Sequence, residues 1–266
     1  MSSFAIVGAG RVGVSLGVLL QRAGHTITGC SARSSASLDR AVRHLRCVSS
    51  TELEDVIDGA DCILIAVSDD HLSDVVARIA ASGATCEKVV HVCGAVGIAP
   101  LAPLADKGVD VFAIHVLQSV PDVERGIERI PGSWFGVTCE ERLRPWAEGF
   151  VSDLSGHVYW VAEEDRTMYH AAAVIASNYL VVLGALVDQA AGTIGPYIPL
   201  MQGTLANLKE LGPAASLTGP VVRGDVGTIK RHLAQMEGDL LDAYKALGRV
   251  AVSMVDGDDE IRDLLA

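Results

Sequence analysis

Basic residues are few in this chain beside the acidic ones: 21 Lys and Arg stand against 33 Asp and Glu, a net charge of −12. Nucleic acid and anionic membrane surfaces both select for basic faces, so neither is expected as a general partner, and a small anionic ligand would need a local basic site. The six cysteines form no CxxC pair and keep no regular spacing; Cys30, Cys62 and Cys93 lie in or at the ends of apolar, strand-like runs. They read as reduced thiols, with neither disulfides nor metal ligands expected. The absence of HExxH, of GxSxG with partners and of a Walker loop leaves hydrolysis and phosphoryl transfer without support. No internal repeat or low-complexity linker is found. No basic n-region precedes the first apolar run, from which a cytoplasmic protein is expected. The most apolar stretch, 171–187, contains Ser177 and Asn178 and ends in Asp188-Gln189. It is expected as a buried core helix and not as a membrane span.

What the chain does have is length and apolar content. Its 266 residues, 50% of them hydrophobic, suffice for two domains. The stretch that organises the rest is the first. Phe4 to Val7 is an apolar run that breaks into Gly8-x-Gly10-x-x-Gly13 and passes into helical periodicity at Val14, Leu16, Leu19, Leu20 and Ala23. Strand, tight turn and helix in that order form the context in which this triplet binds a dinucleotide. Gly8 takes the turn, Gly10 lets backbone approach a pyrophosphate, and Gly13 lets helix pack on strand. Arg11 and Val12 lie between them, where the helix N-terminus points unpaired N–H groups and partial positive charge at the phosphates.

The second strand, His25 to Cys30, decides the cofactor. A site selective for NAD ends this strand in an acid that accepts from the ribose 2′-hydroxyl. Here it runs into Ser31-Ala-Arg33-Ser34-Ser35, with no acid before Asp39. An arginine flanked by hydroxyls suits a 2′-phosphate, so the chemistry favours NADP over NAD.

Further along, Ala41–Cys47 reads as a helix and short strand, and 51–57 as a helix capped by Ser50 or Thr51. Asp61–Val67 is a continuous apolar run, as a strand buried on both faces should be. Strands are also expected at 89–93, 111–114, 134–137 and 158–161, with helices at 72–81 and 143–154. Ligands of open parallel sheets bind beyond the carboxyl ends of the strands. That places Val67, Ser68, Asp69, Cys93, Gly94, His115 and Gln118 near the nicotinamide and substrate. Beyond Ala162 the strand signal ends. Glu163-Glu-Asp-Arg-Thr is expected to open a long helix running to Gly192, its acids matched to the helix dipole. More helices are expected at 198–211, stopped by Gly212-Pro213, at 226–238 and at 240–255. The expected architecture is α/β: a doubly wound nucleotide-binding domain over 1–162, then an all-helical domain over 163–266.

On the long helix, His170 and Ser177 are seven residues apart and share a face, with Asn178 about a hundred degrees round. Polar groups on so apolar a helix must find partners or line a cavity, which singles out His170 and Asn178. The stretch 216–232 holds Arg223-Gly224 between two turns, with Asp225 placed to cap a helix carrying Lys230 and His232.

The N-terminal fingerprint, His115-Val-Leu-Gln118-Ser, Tyr169-His-Ala-Ala-Ala-Val-Ile-Ala-Ser-Asn-Tyr-Leu180 and Leu217-Thr-Gly-Pro-Val-Val-Arg-Gly-Asp225 together resemble one family. It is the set of Rossmann-like proteins with a C-terminal helical domain of unknown function, in the phosphogluconate dehydrogenase-like superfamily that also holds ketopantoate and pyrroline-carboxylate reductases. The resemblance implies an NADP-linked oxidoreductase whose helical domain dimerises. Many superfamily reductases carry a lysine one turn before the helix asparagine; this chain has Val174 there. The strand-end motif is commonly His-Pro-Leu-Gln, and Val116 replaces the proline. The proton donor is therefore left among His170, His115, Lys230 and a water. The expected activity is reduction of a small 2-oxo acid, ketopantoate first, with Asn178 orienting the carbonyl and Arg223 holding the carboxylate. A non-catalytic NADP-binding sensor, favoured by the missing lysine, and an NADP–deazaflavin oxidoreductase are the alternatives.

Overall fold

Short apolar runs cut by turn residues build a single sheet in the first part of the chain. The computed structural model describes residues 1–255 and 259–266. Strands and helices alternate as β1 (Ser3–Val7), α1 (Arg11–Arg22), β2 (Thr26–Ser31), α2 (Ser35–His44), β3 (Val48–Ser50), α3 (Glu54–Ile57), β4 (Cys62–Ile65), α4 (Asp69–Ser82) and β5 (Lys88–His91). A 3-10 turn, Ala99–Leu101, leads through α5 (Ala102–Ala105) to β6 (Asp110–Val116), α6 (Val123–Arg129), β7 (Trp134–Thr138), α7 (Arg144–Asp153) and β8 (His157–Trp160). The eight strands form one sheet in the order β3-β2-β1-β4-β5-β6-β7-β8. All neighbours are parallel except β6 and β7, which pair antiparallel with His115 opposite Gly136.

Both faces of the sheet are covered, which is why the central strands carry no polar alternation. Successive residues go to opposite sides: Phe4, Ile6, Cys62, Leu64 and Phe112 join one core. Ala5, Val7, Ile63, Ile65 and Val111 join the other.

Several boundaries differ from the sequence expectation. Helix α2 starts at Ser35, well before Ala41, because the Ser34 hydroxyl accepts from Ser37 N and caps it. Helix α3 starts at Glu54 without a side-chain cap; Ser50 Oγ accepts instead from Glu52 N at 3.1 Å. Strand β6 continues through His115 to Val116, since β7 pairs with it there, so His115 lies in the strand and not after it.

The chain divides into two compact units between Ser177 and Asn178. The boundary expected at 162/163 assigned the whole long helix to the second domain. In the structure α8 (Arg166–Ala191) begins three residues after Glu163, and its first turns belong to the first unit. The physical reason is Arg166. Its side chain is fully buried, donating from Nε to Thr138 Oγ1 at 2.7 Å and from Nη2 to the carbonyls of Ala113 and Gly136. The acid before it is equally engaged: the Glu163 carboxylate accepts from Ile98 N at 2.7 Å and Ala99 N at 3.0 Å. It caps the 3-10 turn rather than its own helix.

The expectation of a buried core helix is corrected for α8. Met168, Ile175, Tyr179, Val181 and Val182 are each more than half exposed, and Ser177 and Asn178 are exposed too. The expectation came from the run's apolar composition and its few polar residues, yet the single chain leaves much of the helix's apolar surface uncovered. By length and composition α8 is the one helix among the described residues that could cross a membrane.

In the second unit, α9 (Ile198–Ser216) is two helices joined across Gly212, whose φ of 77° and ψ of 173° break the backbone before Pro213 restarts it. Helix α10 (Val226–Leu233) is shorter than expected; Gly238 opens α11 (Gly238–Ser253) instead of ending α10. Helix α12 (Asp259–Leu265) follows, and Ile229, Val252, Ile261 and Leu265 form the unit's small core. The expected helix over 240–255 thus ends at Ser253.

Candidate functional site

The glycine loop between β1 and α1 tests directly whether a dinucleotide fits. Gly8 has φ of 108°, and a Cβ there would run into the Ala66 carbonyl. At Gly13 a Cβ would strike the Gly8 carbonyl, so this residue sets how closely α1 lies on the loop. Gly10 differs: the nearest atom to an added Cβ is Ala66 O at 3.9 Å. Nothing in the protein forbids a side chain at Gly10, which fits a glycine kept bare for a ligand. Gly10 is the N-cap of α1, it brings no side-chain bond, and the first turn holds no acid. The helix's positive end is left unneutralised for an anion.

Two cavities meet at this loop, sharing Gly10, Ala66, Val67 and Ser68. The one beyond β2 and β3 has a volume of about 610 Å³ and is lined by Gly8, Ser31, Arg33, Ser34, Ser37 and Arg78 among others. Ser31 works through its backbone, its carbonyl accepting from Gly8 N at 2.9 Å and Ala9 N at 3.1 Å. Arg33 is exposed at the rim. Ser34 and Ser37 hydroxyls lie 3.0 Å apart at the start of α2. Ser35 does not line the cavity; Ser37 takes the place expected for it, because the helix turns Ser37 onto the face of its cap.

The second cavity, of about 500 Å³, lies over the ends of β4, β5 and β6. It gathers residues expected from distant parts of the sequence: Arg11, Val12, Asp69, Cys93, Gly94, His115 and His170. Arg40, which the sequence reading passed over, also lines it and donates to Ala9 O at 2.8 Å. Gln118 reaches it as well, although its amide is spent on Ser133 Oγ at 3.1 Å and Arg129 O at 3.3 Å.

Burial holds three groups at the strand ends, Cys93, His91 and His115, in their neutral forms. Burial pushes the Cys93 thiol up to about 12, and its Sγ donates to Val67 O at 3.5 Å, so it is not a nucleophile at neutral pH. Burial likewise lowers His91 to about 4. His91 is a satisfied core residue: Nδ1 accepts from Cys93 N at 3.2 Å, which puts its proton on Nε2, donated to Gly97 O at 2.7 Å. His115 is held down to about 4, by burial first and then by His170 and Arg166 nearby. Its Nδ1 lies 2.9 Å from the Tyr169 hydroxyl, and its ring meets that of His170 edge-on at 5.6 Å.

The remaining site candidates belong to the second unit. Asn178 is exposed on α8 and Arg223 is exposed in the turn before α10. Asp225 caps α10 as expected, accepting from Thr228 N at 3.0 Å. The Lys230 ammonium is paired with Glu260 at 2.6 Å.

Residues 2–116 match the Rossmann-like domain family, and residues 133–251 match DUF2520, a domain of unknown function. The chain joins a Rossmann-like domain to a DUF2520 domain. No functionally curated protein matches it. Among solved structures it is similar to a candidate NADP oxidoreductase from Bacteroides fragilis, with 21% identity and a TM-score of 0.81 over 95% of this chain and 98% of that one. It is also similar to the pyrroline carboxylate reductase of Plasmodium falciparum, solved with NADP bound: 12% identity, TM-score 0.62, 100% and 98% covered. A third is the reductive aminase of Aspergillus terreus in complex with NADPH and ethyl-5-oxohexanoate: 14% identity, TM-score 0.63, 99% and 98% covered. At such identities the likeness is one of fold.

Proposed function

We propose that this Rossmann-like protein is an NADP(H)-dependent reductase of a small 2-oxo acid, with ketopantoate the leading substrate. The observation that carries the reading is the pair of adjoining cavities, one lined by Arg33, Ser34 and Ser37 and the other by His115 and His170, that share a bare Gly10. Arg33 and the two hydroxyls would hold a 2′-phosphate, and the loop with the N-terminus of α1 would hold the pyrophosphate. The NADP and NADPH found in two proteins of the same fold support that assignment. Bound NADPH supplies a hydride. The chain's own part is to orient the acceptor, exclude water and deliver a proton, and His115 and His170 are the imidazoles at the second cavity. In the second unit, chemistry alone assigns Arg223 to a carboxylate and Asn178 to a carbonyl; Lys230, already paired with Glu260, is the weaker donor.

A second reading follows from the neighbours, whose names include a pyrroline carboxylate reductase and a reductive aminase. In it the same cleft serves a C=N acceptor. NADPH consumption with ketopantoate, branched 2-oxo acids and a cyclic imino acid separates the two. Tight NADPH binding with background turnover on every acceptor would overturn both and leave an NADP-binding sensor. We also propose a homodimer in which a second copy covers the exposed apolar surface of α8.

A further inference from the structure

Tyr169 was part of a sequence motif but had no role in the reading above. Its hydroxyl sits 2.9 Å from His115 Nδ1. The place is built for it: a Cβ on Gly136, the β7 residue opposite His115, would collide with the Tyr169 oxygen. On the other side of the imidazole, a Cβ on Gly94 would come within 3.0 Å of His115 Nε2, and both residues line the 500 Å³ cavity. Nδ1 therefore faces Tyr169 while Nε2 faces the cavity.

The second unusual feature is Arg166. Its Cζ lies 5.6 Å from the centre of the Tyr169 ring. Its bonds go to a hydroxyl and two carbonyls, and Nη1 has no hydrogen-bond partner. Buried guanidinium groups are ordinarily matched by a carboxylate in contact. Here none hydrogen-bonds to Arg166 among the described residues, and Glu163 acts only through space. Burial pushes the Tyr169 phenol up to about 12, and the Arg166 guanidinium and the Gly136 backbone oppose that rise, so a phenolate formed here is short-lived and readily takes its proton back.

We propose that Tyr169 is a positioning residue that keeps the His115 proton on Nε2 and, as His115 releases it to the reduced group, replaces it through Nδ1. This rests on the 2-oxo acid reductase reading, in which hydride transfer from the reduced nicotinamide would leave an alkoxide oxygen on the substrate. The Nε2–H bond breaks and the proton joins that atom; the Tyr169 O–H bond breaks and its proton forms Nδ1–H. No electrons change hands in the relay, and its net product is a neutral imidazole and a Tyr169 phenolate next to Arg166. Tyr169 stacks on Tyr159, with centroids 6.1 Å apart, and is itself only half-buried, which leaves solvent a way to return the proton. The charged and titratable groups facing His115 are Tyr169, His170, Arg166, Asp69 and His91. Burial with His170 and Arg166 outweighs Asp69 and holds the imidazole neutral, as the relay requires.

The test is nitrogen NMR of the full-length protein labelled with 15N-histidine, with His115→Gln used to assign the signal. His115 is expected to show a protonated Nε2 and an unprotonated Nδ1 from pH 8 down to pH 5. Tyr169→Phe keeps the ring and removes the proton; His115 should then average between tautomers. With an active acceptor, the same variant should lose about 10²-fold in kcat, while KM and NADPH affinity stay near wild type. A His115 that carries its proton on Nδ1, or a Tyr169→Phe protein with unchanged tautomer, overturns the proposal. Because the tautomer is read without substrate, failure of every acceptor would sink the reductase reading without deciding the Tyr169 assignment, which the spectrum decides by itself.

Discussion

Arg166 Nε donates to Thr138 Oγ1 at 2.7 Å, and Thr138 Oγ1 in turn donates to Val161 O at 2.6 Å. The start of α8 is thereby tied to β7 and to the end of β8 through one hydroxyl. Arg166→Ala would strip hydrogen bonds from the buried carbonyls of Ala113 and Gly136, and should destabilise the first unit by about 2–4 kcal/mol. Arg166→Lys keeps the charge without the planar fork and should lie between. Denaturant midpoints of the variants measure this; an Arg166→Ala protein as stable as wild type would refute it.

The glycine loop makes opposite predictions at two positions. Gly13→Ala should unfold or severely destabilise the protein, because its Cβ meets the Gly8 carbonyl. Gly10→Ala should fold within about 1 kcal/mol of wild type yet bind NADPH at least tenfold more weakly. Thermal melts with and without NADPH read both effects at once.

Arg33 should set cofactor choice. Removing one charge-assisted contact costs about 1.5–3 kcal/mol, so Arg33→Ala should bind NADPH roughly 10–100-fold more weakly, with NADH little changed. Fluorescence titration of both cofactors is the measurement, and a variant that keeps its NADPH preference would contradict the assignment.

Acid should destabilise the fold through His91 and His115. Both are lowered from 6.5 to about 4 by burial, so between these values the unfolded chain binds protons that the folded chain refuses. Stability from this source is intact above about pH 7 and falls as pH drops, by up to about 1.4 kcal/mol per pH unit for each histidine. Denaturation midpoints at pH 7, 6 and 5 should decline, with His115→Gln flattening the curve.

The exposed apolar residues of α8 predict a homodimer. Light scattering at micromolar concentration should give twice the chain mass, and Ile175→Glu with Val182→Glu should give monomers. A wild-type monomer would leave the surface of α8 without its proposed cover.

The sheet was largely legible because its strands are apolar runs cut by turn residues, and the glycine spacing located the tight turn between β1 and α1. Most of the cleft followed, since strand ends can be read from where apolar runs stop. Other features were hidden for identifiable reasons. His115 was placed after its strand because a polar residue ended the run, whereas backbone pairing with β7 does not depend on side-chain polarity. Arg166 was given no role of its own in the charged helix opening, and only the tertiary fold shows that its long side chain reaches buried carbonyls. The second helix was expected only from Ala41 because Ser34 and Ser35 were assigned to a phosphate, although the same hydroxyls cap helices. Tyr169 carried no signal of its own: a phenol at the head of an apolar helix looks like packing until its oxygen has an address.

The Glu163 carboxylate, seated on the amides of Ile98 and Ala99, has a consequence for motion. A Cβ at Gly97 would overlap that carboxylate, just as one at Gly94 would overlap His170. The segment 94–101 and the segment 163–170 therefore pack into space that each leaves for the other, and lifting either one breaks the Glu163 hydrogen bonds and this packing together. Local opening in folded proteins proceeds in cooperative blocks. These two stretches, far apart in sequence, make one such block, and their amide protons should exchange with solvent in step.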